Sequence, residues 1–196
     1  MPQYIKYRRE LPCYKHIEGY FTPEEVDSMI DLEDLQKFEK ATLGVGPKKK
    51  VEKKSRDSEV SWIYCDPKSQ WLFDKFGAII GYVNHDVFMY DVDGFDYFQY
   101  TKYKKGQHYT WHYDTLMEYN QWERKISATI MLSDPTEYEG GEMEIITSGN
   151  LETPVVVKPK KGDIIFFASW MLHRVKPIES GTRKSLVTWI MGKRPC

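Results

Sequence analysis

From Asp96 onward the chain breaks into short segments rich in β-branched and aromatic residues, each closed by a turn residue. The segments run from Asp96 to Lys104, Ile126 to Ser133, Glu142 to Ile146, Val155 to Lys158, Asp163 to Phe167, His173 to Val175 and Arg183 to Met191. Gly106, Asp134-Pro135, Gly140-Gly141, Ser148-Gly149-Asn150, Gly162 and Gly181 separate them. Glycine, proline and Asx residues supply the backbone angles and side-chain hydrogen bonds that reverse a chain. Two helical stretches precede this series. An α+β chain follows, whose second half is a double-stranded β-helix (jelly roll) with the N-terminal helices packed on one sheet.

The first helix starts at Phe21-Thr22-Pro23-Glu24-Glu25. Thr22 caps, Pro23 takes the first helical position, and the glutamates suit the positive end of the dipole. Val26, Met29, Ile30, Leu35 and Phe38 form its stripe, and Gly44-Val45-Gly46-Pro47 ends it. The basic run from Lys48 to Arg56 reads as a solvated loop, or else as a flap over a site. Glu59 to Tyr64 alternates like a half-buried strand. Leu72, Phe76, Ile79, Ile80, Val83 and Val87 mark one face of a second helix, beginning near Asp66-Pro67. The expected organisation is one domain over residues 1–196, with helical support and substrate-side strands in 1–95 and the jelly-roll core in 96–191.

Composition excludes several classes of function. The formal net charge of -1 gives no bulk attraction to nucleic acid or to an anionic membrane. Cys13, Cys65 and Cys196 form neither a zinc pattern nor a disulfide framework, so a reducing compartment is the simpler expectation. Met1 to Glu10 lacks an apolar signal-peptide core, and no apolar run reaches the ~20 residues that span a bilayer. The expectation is a cytoplasmic protein without a membrane partner.

The chemistry sits in His112-Tyr113-Asp114, followed by His173 and Arg183. Two imidazoles and one carboxylate occupy one face of an octahedral iron and leave three positions open. On a strand, residues two apart point to the same side, which expects His112 and Asp114 to share a face. His173 follows Gly162-Asp163-Ile164-Ile165-Phe166-Phe167, a buried strand that can deliver it to the same ion. Arg183 follows on the final apolar strand, placed to hold an acid. Zinc is the rival metal, but it leaves Arg183 without a role, and no HExxH helix is present. His108 is the rival ligand, four residues before His112; a turn or rim position is its other reading.

The motif Y-x-x-G-Q-x-Y-x-x-H-x-D from Tyr103 to Asp114 is followed by Arg124-Lys125-Ile126-Ser127, Gly140-Gly141-Glu142, Gly162-Asp163, His173 to Pro177, Gly181 to Ser185 and Trp189. In this order the residues resemble the Fe(II)/2-oxoglutarate dioxygenases, in particular the prolyl 4-hydroxylase branch of bacterial and viral type. The resemblance implies that His112, Asp114 and His173 ligate iron. It implies that Arg183 pairs with the distal carboxylate of 2-oxoglutarate, assisted by Ser185 and Tyr103, with Trp189 beside metal and substrate. Tyr109 matches the position that packs on a target proline, and Arg56 and Arg124 fall among the substrate-side residues. The bland alternatives are an exposed strand arginine at 183, core aromatics at 103 and 189, a serine without a role at 185 and a turn arginine at 124. The implied cofactors are Fe(II), 2-oxoglutarate and O2, with ascorbate as reductant. The implied reaction decarboxylates 2-oxoglutarate to succinate while hydroxylating a substrate C–H.

The leading expectation is therefore hydroxylation of a prolyl residue in a peptide or protein partner. The runner-up is hydroxylation of a free amino acid or other small metabolite at the same iron site. A nucleic-acid demethylase of this superfamily carries a second arginine where Trp189 stands. A non-catalytic jelly-roll binding module would not need the metal and co-substrate residues. The arginine at 183 also differs from the lysine of many animal and plant collagen-type enzymes, which sets a collagen-like substrate in question.

Overall fold

The structure is a computed structural model, and it describes residues 14–33, 37–43, 50–115, 122–148 and 150–193. Leu35, the Gly44–Pro47 stop, the first lysines of the basic run, Cys13, Cys196 and the N-terminal ten residues lie outside them. Two antiparallel sheets face each other. The larger orders β1 (Tyr14–Ile17), β12 (Ile164–Ala168), β8 (Trp122–Met131), β14 (Ile178–Lys193), β6 (Phe98–Lys104), β4 (Glu59–Ile63) and β2 (Glu39–Lys40). Short β5 (Gly94–Phe95) and β9 (Tyr138–Gly140) also pair with β14. The smaller sheet orders β11 (Val155–Val157), β10 (Met143–Ile145), β13 (His173–Val175), β7 (His108–His112) and β3 (Arg56–Asp57). This is the jelly roll that the turn-punctuated sequence expects.

Strand alternation divides the larger sheet into two faces. Phe98, Tyr100, Ile126, Ala128, Ile130, Ile164, Phe166, Leu186 and Ile190 are buried with Val26 and Met29 of α1 (Pro23–Glu33) and with Leu72, Phe76 and Val83 of α2 (Gln70–Val83). Their neighbours in sequence point the other way. Ile165 and Phe167 join Met143, Ile145 and Val157 between the sheets, and Gln99, Tyr103, Thr129, Arg183, Ser185, Val187 and Trp189 line an open cavity there. One sheet thus carries an apolar face for the helices and a mixed face for a site.

The helix start at Thr22 is a capping box. The Glu25 amide donates to Thr22 Oγ1 at 3.3 Å, and the Thr22 amide donates to Glu25 Oε2 at 2.8 Å. The helix itself is shorter than its stripe suggests, because Phe38 lies beyond α1. Phe38 instead meets Tyr100 edge-on, with ring centroids 5.6 Å apart, at the entry to β2. Its apolar character serves the same core through an extended segment, which periodicity cannot tell from one more helical turn. The second helix continues through a π turn at Asn84–Phe88 that buries Val87. None of the described helices is long and apolar enough to cross a membrane.

Gly162 joins the helical layer to the sheets. Its φ is +89°, and its carbonyl accepts from the Phe21 amide at 3.0 Å. A Cβ there would lie 2.1 Å from the Phe21 carbonyl oxygen. Gly162→Ala is expected to cost about 3 kcal/mol, lowering Tm by on the order of 6–12 °C. Thermal unfolding followed by circular dichroism measures this, and an unchanged Tm would show that the junction relaxes freely.

Candidate active site

A cavity of about 400 Å³ opens between the two sheets. Its floor is set by an irregularity in β7. His173 pairs with His112 and Val175 pairs with Tyr109, so β7 holds one residue more than β13 across this interval. The extra residue puts Tyr109 and His112, three apart in sequence, on the same face. Their rings stack with centroids 3.4 Å apart. His108 turns away, with its ring nitrogens 3.3 Å from the Gly106 carbonyl and 3.4 Å from the Lys54 carbonyl. The rim reading of His108 fits this placement.

Asp114 corrects the strand argument. β7 ends at His112, so strand parity does not aim the carboxylate. Ser169 aims it instead. The amides of Asp114 and Thr115 both donate to the Ser169 carbonyl, at 2.9 and 3.1 Å, while the Ser169 amide donates to the Lys125 carbonyl at 3.0 Å. Ser127 Oγ donates to Asp114 Oδ2 at 2.8 Å and meets Ser169 Oγ at 3.0 Å. Both serines are fully buried. Ser127 lies on β8 and Ser169 in the turn after β12, and neither setting gives a serine a sequence signal for such a role.

The three donors converge. His112 Nε2 lies 3.7 Å from Asp114 Oδ1, and His173 Nε2 lies 3.5 Å from Asp114 Oδ2. One ligand atom from each of the three residues falls within 4.8 Å of the others. His112 Nδ1 is 2.7 Å from the Thr110 carbonyl and His173 Nδ1 is 2.9 Å from the Met171 carbonyl. A carbonyl only accepts, so both Nδ1 atoms carry the proton and both Nε2 lone pairs face Asp114. Burial, then the neighbouring His173, push the His112 imidazole down to about 3, which keeps it neutral. Burial opposes charge on Asp114, but His173, His112 and Arg124 nearby and the Ser127 hydroxyl together hold its carboxyl below the usual range. Two imidazoles with Nε2 turned inward and one carboxylate fit a divalent ion that accepts mixed nitrogen and oxygen ligands.

A second polar group lies on β14. Arg183 is 2% exposed, and its side-chain partner among the described residues is a hydroxyl rather than a carboxylate. Its Nη1 is 3.4 Å from Ser185 Oγ, and its guanidinium carbon is 5.9 Å from the centre of the Tyr103 ring. Arg183 faces Tyr103 across the β14–β6 ladder, so the three residues share one patch of cavity wall. Such a buried guanidinium calls for an anion. Gly141 makes room here, because a Cβ at this position would stand 3.2 Å from Arg183 Cδ.

The remaining wall is aromatic and cationic. The Arg124 guanidinium lies 3.5 Å from the centre of the Trp189 ring, and Trp62 meets Trp189 at 6.4 Å. Arg124 Nε and Trp189 Nε1 are buried donors without a hydrogen-bond partner among the described residues. Burial depresses the Arg124 guanidinium from its ordinary value. Burial also raises the Tyr109 phenol to about 12, against the opposing Arg56 cation 4.8 Å from its ring. Arg56 donates to Gln99 Oε1 at 2.7 Å and to Ser58 Oγ at 3.1 Å. Its strand β3 pairs with β7, and the Ser55 carbonyl accepts from the Thr110 amide at 2.8 Å. The described end of the basic run is thus bound to the sheet rather than hanging free as a flap. Trp62 and Gln99 join the site from β4 and β6 without having been singled out in the sequence.

The same stretch of chain matches known proteins. The profile of the 2OG-Fe(II) oxygenase superfamily matches residues 98–191. A PKHD-type hydroxylase of Aliarcobacter butzleri (strain RM4018) is 39% identical over 97 residues, covering 46% of this chain and 41% of the relative. The chain thus spans less than half the length of that relative. The viral collagen prolyl hydroxylase of Paramecium Bursaria Chlorella virus-1, solved with 2OG, superimposes with a TM-score of 0.65 at 26% identity, covering 92% of this chain and 96% of that one. A Trichoplax adhaerens prolyl hydroxylase, solved with a hypoxia inducible factor oxygen degradation domain peptide fragment, reaches a TM-score of 0.74 at 19% identity, covering 91% and 83%. At that identity the last likeness speaks for the fold alone.

Proposed function

We propose, from the match of residues 98–191 to the 2OG-Fe(II) oxygenase superfamily, that the chain hydroxylates a prolyl residue in a peptide or protein. The superfamily implies Fe(II), 2-oxoglutarate and O2. In this reading His112, Asp114 and His173 hold the iron. Arg183, with Ser185 and Tyr103, holds the distal carboxylate of 2-oxoglutarate through a charge-assisted, fork-shaped contact. Ascorbate is the proposed external reductant. When bound, the iron and 2-oxoglutarate supply the oxidising chemistry, releasing succinate and CO2 as a substrate C–H becomes C–OH.

The chain's own residues supply binding and order. Tyr109 and Trp189 offer aromatic walls for a five-membered ring, and packing against them is the orienting contribution. The observation that carries the peptide reading is the open cavity beside the triad, lined by Tyr109, Trp189, Arg124 and Arg56. A wall that mixes cations with aromatic rings suits a chain that offers a carbonyl at each residue beside its side chains. Arg56, locked by Gln99 and Ser58, faces the same space from the Tyr109 side.

Peptide libraries with and without proline, read by mass spectrometry for the gain of one oxygen, test the reading. Oxidation confined to proline-containing members supports it. If none is oxidised, a free amino acid or other small metabolite becomes the substrate to pursue. Tyr109→Ala is expected to lower prolyl turnover about tenfold, the worth of one good ring contact. The share of succinate released without hydroxylated product should rise. A variant that hydroxylates as efficiently as the parent protein would remove Tyr109 from the substrate wall.

A further inference from the structure

The cavity wall carries more positive than negative charge. Glu39, Asp114, Lys40, Arg56, Arg124 and Arg183 line it. Lys40 is engaged at the rim, 3.7 Å from Asp57 and 3.4 Å from Glu59, and Glu39 is exposed there. In the reading above, a divalent ion offsets the dianionic co-substrate and Arg183 offsets Asp114. Arg56 and Arg124 then remain as two cations in one wall. Their partners do not neutralise them. Arg56 is fixed by the amide oxygen of Gln99 and the hydroxyl of Ser58. The Arg124 side chain is 15% exposed and reaches Asp96 at 3.9 Å, and that carboxylate is itself 40% exposed. Water screens so long and open a pair. The two guanidiniums also sense the same surroundings. Burial raises the Tyr109 phenol and both act against that rise; burial depresses Arg124, and the Arg56 cation adds to it. Like charges in a cleft with low-dielectric walls focus their field on whatever enters. A peptide carbonyl accepts a hydrogen bond from either guanidinium but cancels no charge.

We propose that the substrate carries a carboxylate beside the carbon that is hydroxylated, and that Arg56 and Arg124 form the subsite for it. The proposal rests on the prolyl reading above and narrows it to an anionic substrate. Both arginines line the same cavity as Tyr109, Trp189 and the metal triad, so the carboxylate belongs to the target residue or to its immediate neighbour. Two sources supply that chemistry. One is an acidic side chain next to the target proline, and the other is the α-carboxylate of a C-terminal proline. A guanidinium suits either, because its paired N–H donors match the two oxygens. Lys53 and Lys54, both exposed just before Arg56, extend the positive charge toward solvent. The rim carboxylates Asp57 and Glu59 do not oppose it, being paired with Lys40 and, for Glu59, with Lys104 at 2.9 Å.

The test uses the full chain loaded with Mn(II) and 2-oxoglutarate, so that binding is read without turnover. The probes are end-blocked proline tripeptides with aspartate before or after the proline, their asparagine counterparts, and acetyl-alanyl-proline as free acid and as amide. Isothermal titration calorimetry gives Kd for each. The expected result is a carboxylate probe that binds about ten- to a hundredfold tighter than its amide twin, with the advantage shrinking as salt is raised. An advantage in the aspartate pair identifies an acidic neighbour, and one in the acetyl-alanyl-proline pair identifies a chain terminus. Arg56→Gln and Arg124→Gln should each cost the carboxylate probe more than its amide twin, whereas a merely structural role would cost both alike. Arg→Lys at either position keeps the charge and should keep part of the advantage. Equal affinity within every pair, an advantage that survives both glutamine changes, or no binding by any carboxylate probe overturns the subsite. Mass spectrometry of the same probes under Fe(II) and O2 separates the two readings. Oxidation of the neutral proline probes without a carboxylate advantage sinks the subsite alone. A carboxylate advantage with no oxidised proline sinks the prolyl reading and leaves the subsite standing.

Discussion

His112→Ala and His173→Ala are each expected to lower substrate-dependent turnover by more than about a hundredfold. Either change leaves one imidazole and the Asp114 carboxylate, too few protein donors to retain a ferrous ion. The loss should appear first as metal. Equilibrium dialysis against Mn(II) or Fe(II) should show weakened binding in both variants before any kinetic assay. The fold is expected to persist, because both apolar clusters keep all their members, with His173→Ala the costlier change since its ring is buried 4.6 Å from that of Phe167. Circular dichroism checks this, since a collapsed structure would lose metal for a trivial reason. A folded variant that binds metal as the parent does, and still releases succinate, would dismiss the proposed iron ligands.

Arg183→Ala is expected to raise the KM for 2-oxoglutarate by about ten- to a hundredfold, the loss of a charge-assisted pair worth roughly 1.5–3 kcal/mol. The contact exists before and during the reaction, so kcat at saturating co-substrate should fall less than kcat/KM. Succinate release across a range of 2-oxoglutarate concentrations separates the two parameters. Arg183→Lys is a useful intermediate. It keeps the charge but loses the planar fork, so a weakened affinity supports two-point recognition and a parent-like affinity does not. Unchanged co-substrate affinity in the alanine variant would mean that the buried guanidinium serves another anion.

Arg183, Ser185 and Trp189 could be aligned from sequence because they lie on one regular strand, where a period of two survives without interruption. The same rule brings Asp114 to the right site on a premise that fails. The strand ends two residues too early, and the carboxylate is fixed by a carbonyl more than fifty residues away in the chain. β7 itself escaped the strand pattern. His-Tyr-Thr-Trp-His is too short and polar to stand out, although Tyr109 and Trp111 alternate with polar residues, and its extra residue shifts the parity midway. Arg56 looked like the tail of a lysine run because composition cannot show that its backbone extends a sheet. The contact of Arg124 with Trp189 depends on the register of β8 against β14, which no local window contains. What was legible was whatever a single element repeats. What was not legible arises where two elements meet.

Ser169 shows what such a meeting achieves. Its carbonyl receives the two amides that fix Asp114, and the chain runs from it directly through the turn to His173. Two of the three donors therefore hang from one peptide unit, like both jaws of a gripper on a common pivot. A shift of that turn is expected to move Asp114 and His173 together and to spare the distance between them.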